Sequence, residues 1–164
     1  MTARPANTLF VPTVSMSKAA PDHGFEQVST LRVRYAETDR MGVVYHANYL
    51  VWCEIGRTDF IRSTLASYAD LEAQGVMLAV TDANIRFLRG ARYDDPIEVR
   101  TRLLDVRSRT LRFGYEIVHA ERGERLAVAE TGLIRLDESG RTSALPLEIR
   151  EVLLPLVAQT GEGS

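Results

Sequence analysis

The strongest constraint on the fold is residues 47–65, ANYLVWCEIGRTDFIRSTL, whose apolar side chains nearly encircle a helical wheel. The segment contains no proline and one glycine, so a single long helix is predicted. A helix that is apolar on most sides must be buried on most sides. Only its later half is amphipathic, with Arg57, Asp59 and Arg62 predicted to face solvent. The rest of the chain must therefore form a surface that covers this helix.

Strand patterns before and after the helix supply that surface. Residues 28–36 alternate, with Leu31, Val33 and Tyr35 predicted to face inward. Tight turns predicted downstream join antiparallel neighbours, and an antiparallel sheet with one solvated face must cover its other face. The sequence therefore predicts an α+β fold in which a five-stranded antiparallel sheet wraps around one long central helix. The four downstream strands are predicted over residues 76–89, 97–103, 111–117 and 125–136.

Length and composition bound the class of protein. The 164 residues suffice for one domain, predicted over 27–158 with flexible ends at 1–26 and 159–164. The first of these ends is rich in Pro, Ala, Ser and Thr and has no periodicity. The net charge of -2 provides no global basic field for nucleic acid. No apolar run has the length of a membrane span or a signal peptide, so a cytoplasmic protein without membrane insertion is expected.

The single cysteine, Cys53, cannot form an internal disulfide. It lies in the apolar helical segment, and the sequence supplies neither the base nor the access that a catalytic thiol needs. Cys53 is therefore predicted to be a small buried hydrophobe.

The loop between the first strand and the helix carries a long ordered motif. Residues 35–49 read YAETDRMGVVYHANY, and the helix continues into Glu54-Ile-Gly-Arg57. Together they closely resemble the signature of the 4-hydroxybenzoyl-CoA thioesterase and YbgC-like acyl-CoA thioesterase family, most densely over residues 31–62. The resemblance implies a hotdog fold, a homodimer able to pair into a homotetramer, and hydrolysis of an acyl-CoA to free acid and CoA. It implies neither a metal nor a cofactor.

The resemblance also assigns catalytic roles to particular residues. The aspartate of the family's Asp-x-x-Gly pattern falls on Asp39, the histidine of YbgC-like members on His46, and their strand tyrosine on Tyr35. A carboxylate can attack a thioester carbonyl directly or act as a base toward water. From spacing alone, Asp39 also fits a local Asx-turn before Gly42, where a tight reversal favours positive φ. His46 also fits a satisfied, partly buried histidine, and Tyr35 a core aromatic side chain.

Oxyanion stabilisation and CoA binding have candidates as well. The helix is predicted to begin near His46, and helix N-termini carry unpaired N–H groups suited to an oxyanion. By family analogy, the backbone N–H of Tyr45 or His46 points at that oxygen. Guanidinium groups bind phosphate through paired contacts, although a solvated strand face is the alternative for each arginine. The substrate-binding candidates are Arg107, Ser108 and Arg109, which resemble the basic turn of benzoyl-type enzymes, and a second cluster of Arg86, Arg89 and Arg92.

Three other functions are weighed against the thioesterase. A hotdog dimer can bind an acyl or aryl ligand without turnover, because fold alone does not prove activity. A hotdog dehydratase typically pairs a buried histidine with an acid on the helix, whereas here Asp39 precedes the helix and His46 starts it. A metal site built from Asp39, His46 and Glu54 lacks a strong zinc spacing. The acid in the loop favours the thioesterase over a pure binding module.

Overall fold

The computed structural model describes residues 24–159 of the chain. The strands, in chain order, are β1 (Glu26–Arg32), β2 (Met77–Phe87), β3 (Pro96–Val106), β4 (Thr110–His119) and β5 (Arg125–Leu136). The helices are α1 (Asn48–Thr64), α2 (Tyr68–Ala73) and α3 (Leu147–Leu153). Short 3-10 turns cover Tyr35–Glu37 and Leu154–Leu156.

The five strands form one antiparallel sheet in the order β1-β3-β4-β5-β2. Strands β3, β4 and β5 follow one another through short turns and therefore pair as neighbours. The segment between β1 and β2 contains α1 and α2, and this long connection carries the chain from one edge of the sheet to the other. The predicted five-stranded antiparallel sheet with one helix against it is confirmed.

The core lies between α1 and the inner face of the sheet. Trp52 and Phe60 of α1 are fully buried, as are Val99, Leu103 and Phe113 of the two central strands. Phe60 meets Phe113 edge to face, with ring centroids 5.3 Å apart. Burying each such side chain contributes on the order of 1.5–3 kcal/mol, so the helix is fixed on the sheet chiefly by this contact.

The prediction that α1 is buried on most sides is wrong for one flank. Leu50, Val51 and Ile55 stay partly exposed, at 39%, 45% and 39%, because a single sheet covers only one side of the helix. Arg57, predicted to face solvent, is only 9% exposed. Its guanidinium donates to the hydroxyls of Tyr68 at 3.2 Å and Tyr115 at 3.4 Å, and these contacts hold it inside.

The first strand ends earlier than predicted. β1 stops at Arg32, and Tyr35 is 78% exposed in the 3-10 turn that follows, so the prediction that it faces inward is wrong. The reason is local, because the Arg34 N–H donates to the carboxylate of Glu37 at 2.8 Å and turns the chain away from the sheet. Val33 is buried as predicted.

The ends of the domain and the single cysteine can be compared with their predictions. The predicted flexible ends at 1–26 and 159–164 fall almost wholly outside the described residues, but Glu26 begins β1 and Phe25 packs edge to face on Phe60. Cys53 is buried, as predicted. Within residues 24–159, no helix combines the length and apolarity needed to cross a bilayer.

Candidate active site

A tight loop holds Asp39 just before α1. The Asp39 N–H donates to the Val43 carbonyl at 2.8 Å, and the Gly42 N–H donates back to the Asp39 carbonyl at 3.0 Å. Gly42 has φ +78°, which glycine adopts at little cost, so the predicted positive φ is confirmed. The backbone between Asp39 and Val43 is therefore closed by its own hydrogen bonds.

The Asp39 carboxylate has one engaged oxygen and one open oxygen. Oδ1 accepts the Met41 N–H at 2.8 Å, which is the predicted Asx-turn. Among residues 24–159, no donor contacts Oδ2. The turn orients the carboxylate and leaves one oxygen free to react, so the turn and a chemical role are compatible.

Asp39 lines a cavity of about 310 Å³ beside the start of α1. Its aromatic walls come from the end of β2 and the start of α1. Phe87 of β2 packs against His46 and against Tyr49, with ring centroids 6.2 Å and 5.3 Å apart. A larger groove, about 650 Å³, lies elsewhere and is lined by the charged strand residues of the sheet's other face. The Asp39 cavity is lined by Asp39, Val43, Val44, His46, Tyr49, Phe87, Leu88, Arg89 and Gly90.

The backbone at the helix start narrows the choice of oxyanion donor. The Tyr45 N–H already donates to the Glu37 carbonyl at 2.8 Å, so the prediction that it could serve is corrected. The His46 N–H has no acceptor within the described part of the chain. Of the two predicted amides, only that of His46 is without an acceptor among the described residues, and His46 lines the cavity.

The side chains predicted as catalytic are only partly brought together. The His46 ring is exposed and packs at a tilt against the Tyr45 ring, with ring centroids 4.5 Å apart, so it is not the partly buried histidine of the alternative interpretation. Asp39 and His46 share the cavity. Tyr35 instead packs edge to face against Tyr93 on the surface, and across residues 24–159 no hydrogen bond joins its hydroxyl to Asp39 or His46.

The predicted basic residues lie at separate places in one chain. Arg89 lines the Asp39 cavity and pairs with Glu124 at 3.4 Å, whereas Arg86 lines the groove on the other face of the sheet. The turn of Arg107, Ser108 and Arg109 joins β3 to β4. β3 runs from Pro96, which pairs with Arg32 near the Asp39 loop, to Val106 at that turn. Ten steps of about 3.3 Å separate the two ends by roughly 30 Å.

Two residues that support the site were not singled out from the sequence. The Tyr49 hydroxyl accepts the buried Ala91 N–H at 3.0 Å and so holds the loop beyond β2 against α1. Burial raises the pKa of Tyr49. Glu37 is 5% exposed and accepts the indole N–H of Trp52 at 3.1 Å. Buried Tyr and Trp side chains need polar partners. The presence of Tyr49 and Trp52 in an apolar helix was therefore the sequence signal that polar groups must lie next to them.

Burial alone would raise the pKa of Glu37, but hydrogen bonds from the Arg34 N–H, the Trp52 indole and the Arg34 guanidinium outweigh it and lower the pKa. Glu37 is therefore charged near neutral pH. Burial raises the pKa of the Cys53 thiol to about 12, which fits a structural rather than a nucleophilic cysteine. Within residues 24–159, no three His, Cys, Asp or Glu side chains are grouped to hold a metal ion.

Comparison with known proteins places the chain among thioesterases. Residues 33–153 match the model of the thioesterase-like superfamily. YneP of Bacillus subtilis is 39% identical over 121 residues, covering 74% of this chain and 85% of that protein. The acyl-CoA thioester hydrolase YbgC of Escherichia coli is 37% identical over 91 residues, covering 56% of this chain and 68% of its own.

Solved structures give the same result. A hypothetical protein of Thermus thermophilus is 36% identical with a TM-score of 0.76, covering 82% of this chain and all of that one. The DHNA-CoA thioesterase of Staphylococcus aureus is 35% identical with a TM-score of 0.69, covering 76% of this chain and 82% of its own.

Proposed function

The chain belongs to the thioesterase-like superfamily and is an acyl-CoA thioesterase, and we propose that it hydrolyses its substrate with the Asp39 carboxylate and the backbone N–H of His46. The carboxylate is the nucleophile or the general base, and the N–H stabilises the oxyanion. The observation that carries this proposal is that Asp39, which has one open carboxylate oxygen, and His46, which has an open backbone N–H, line a single cavity.

The reaction needs an oxygen to bond to the thioester carbonyl carbon. Either Asp39 Oδ2 attacks, the C–S bond breaks to give a mixed anhydride and water then hydrolyses that anhydride, or Oδ2 takes a proton from the water that attacks the thioester. The carbonyl oxygen becomes negative in both routes and lies against the His46 N–H at the positive end of α1. The C–S bond then breaks, CoA leaves as the thiol after protonation, and the acid is released. The exposed His46 ring is a candidate for that proton transfer.

The proposed site of the acyl group is the cavity beside Asp39, whose walls include Phe87, Tyr49 and Val44. Arg89 at the same cavity is the candidate for a CoA phosphate. Arg107, Ser108 and Arg109 lie at the far end of the sheet, so they reach this substrate only from another copy of the chain. Their proposed role in CoA binding therefore depends on an oligomer.

A homodimer is proposed through β2, with pairing of dimers into a tetramer. β2 is an 11-residue edge strand whose neighbour in the sheet, β5, lies on one side only. Open strand edges are sites for pairing with a second copy. Val80 and Phe87 of β2 are 50% and 46% exposed, and the flank of Leu50, Val51 and Ile55 on α1 is also uncovered.

The decisive experiment compares the wild type with Asp39→Asn on a panel of acetyl-, butyryl-, hexanoyl-, palmitoyl-, benzoyl- and 4-hydroxybenzoyl-CoA, following release of free thiol. Asparagine keeps an oxygen for the Met41 N–H and so preserves the Asx-turn, while it removes the charge. We expect kcat/KM to fall by about 10²–10⁴-fold with folding unchanged. Asp70→Asn, an exposed acid of α2 that belongs neither to the Asp39 cavity nor to the Arg107–Arg109 turn, is the matched control.

Two results would contradict the proposal. Full activity in folded Asp39→Asn would exclude the carboxylate as nucleophile or base. No turnover of any substrate by the wild type, with tight acyl-CoA binding, would instead favour a non-catalytic acyl-CoA-binding protein.

A further inference from the structure

Glu37 is the one buried carboxylate in the loop before α1, two residues ahead of Asp39, within the part of the chain that the structure describes. Its side chain is held on two sides. Oε2 accepts the Arg34 N–H at 2.8 Å, and Oε1 accepts the Trp52 indole N–H at 3.1 Å and the Arg34 guanidinium at 3.3 Å. Trp52 is fully buried under the first turns of α1. The carboxylate therefore ties the loop both to the end of β1 and to the helix.

The main chain of the same residue fixes the helix start. The Glu37 carbonyl accepts the Tyr45 N–H at 2.8 Å and the Asn48 side-chain amide at 2.9 Å. These two donors flank His46 on either side along the chain. Two hydrogen bonds to the Glu37 carbonyl therefore fix the backbone on both sides of His46 and so the direction of its N–H. The position of that carbonyl is in turn fixed by the hydrogen bonds of the Glu37 side chain.

The Asp39 backbone is connected to the same Glu37 turn. Thr38 and Val44 form a bridge, and the Asp39 N–H donates to Val43 at 2.8 Å, so the Asp39 backbone is continuous with the clamped turn. Resting on the function proposed above, we propose that Glu37 is the positioning residue that holds the Asp39 carboxylate and the His46 N–H in their mutual geometry. It acts through its neighbours and does not touch the substrate.

Charge supports this assignment. A charged carboxylate in the same loop as Asp39 opposes the build-up of negative charge on the substrate unless its own charge is offset. The Arg34 guanidinium offsets that charge, and the Trp52 indole N–H stabilises the carboxylate with a hydrogen bond. An uncharged side chain of the same shape would satisfy the indole but would place an amide N–H₂ against a donor of Arg34, so the clamp would loosen.

The test uses two variants that break the same clamp from opposite sides, Glu37→Gln and Trp52→Phe. Steady-state kinetics on the best acyl-CoA substrate separate kcat from KM, and circular dichroism melting monitors folding. We expect kcat to fall roughly 10–100-fold with KM within about threefold, because small misplacement of a reacting group costs about 10²-fold in rate. The double variant is expected to be no slower than the slower single variant, since both loosen one clamp.

Asp59→Asn is the matched control. Asp59 is a half-buried carboxylate of α1 that also accepts two side-chain hydrogen bonds, from Ser29 at 2.6 Å and Arg62 at 3.0 Å, but it lies outside the cavity. Its kcat is expected to match the wild type. Should Glu37→Gln fail to fold, Trp52→Phe alone decides the matter.

Wild-type kcat in folded Glu37→Gln and Trp52→Phe would overturn the assignment, and so would an equal loss in Asp59→Asn, which would indicate general destabilisation. These outcomes differ from failure of the proposed function, where the wild type itself is inactive or Asp39→Asn retains activity.

Discussion

Gly56→Ala tests how closely α1 must approach the sheet. Gly56 lies in the middle of α1, facing β3, and a Cβ at this position would lie 2.8 Å from Val99 Cγ1 and closer still to Thr101 Oγ1. Val99 and Thr101 are fully buried on a central strand and cannot move aside. The helix itself must shift, and the His46 N–H at its start must shift with it.

The size of the effect follows from two opposing contributions. Overpacking a close-packed core costs about 1–3 kcal/mol, and replacing a helical glycine by alanine returns up to about 1 kcal/mol of helix propensity. With two buried atoms inside contact distance, we expect the upper part of the first range and a net loss of about 2 kcal/mol. For a domain of this size, that lowers the melting temperature by roughly 5–10 °C.

Urea denaturation gives the free energy of unfolding, and the thiol-release assay gives kcat on the same samples. Thr101→Ala is the rescue variant, because it removes the oxygen that the methyl group introduced by Gly56→Ala would meet and whose hydrogen-bonding capacity is unused. In the double variant, we expect the cost of Gly56→Ala to fall by at least about 1 kcal/mol. A Gly56→Ala protein as stable as the wild type, or equal costs with and without Thr101, would refute the argument that this contact sets the helix position.

Two further predictions concern alkaline stability and assembly. Burial raises the pKa of Cys53 and of Tyr115 to about 12, from ordinary values of 9.0 and 10.0. Unfolding therefore releases protons at alkaline pH, and the free energy of unfolding falls as pH rises from about 9 to 12, by up to roughly 1.4 kcal/mol per pH unit for each group. In Cys53→Ala the fall should begin about one pH unit higher, and a urea midpoint that stays unchanged across this pH range would contradict the prediction. Light scattering is expected to give a dimer or tetramer mass for the wild type and a smaller species for Val80→Lys, since an edge lysine opposes strand pairing, whereas a monomeric wild type would exclude the β2 dimer.

The architecture was predictable because two periodicities agreed. Alternation along the strands and the apolar wheel of residues 47–65 each specified a buried face, and a sheet wrapped around one helix is the simplest arrangement that satisfies both. The chemistry was less accessible. Asp39 and Gly42 follow ordinary turn rules, so only the long motif separated them from any surface turn. The partners of Glu37 lie 3 and 15 residues away, at Arg34 and Trp52. Neither the strand nor the helix periodicity of the sequence predicts such contacts between a loop and the interior of a helix.

The two errors about α1 have different physical origins. Arg57 is buried because tyrosine hydroxyls from α2 and β4 reach its guanidinium, and such a contact depends on packing that a helical wheel does not contain. Leu50, Val51 and Ile55 are exposed because the rule for an apolar helix was applied to one chain. The rule holds if a second copy of the chain covers this flank. A second copy would also bring its own Arg107–Arg109 turn within reach of the substrate. One assembly would therefore account for the uncovered helix flank, the open edge of β2 and the separated arginines together.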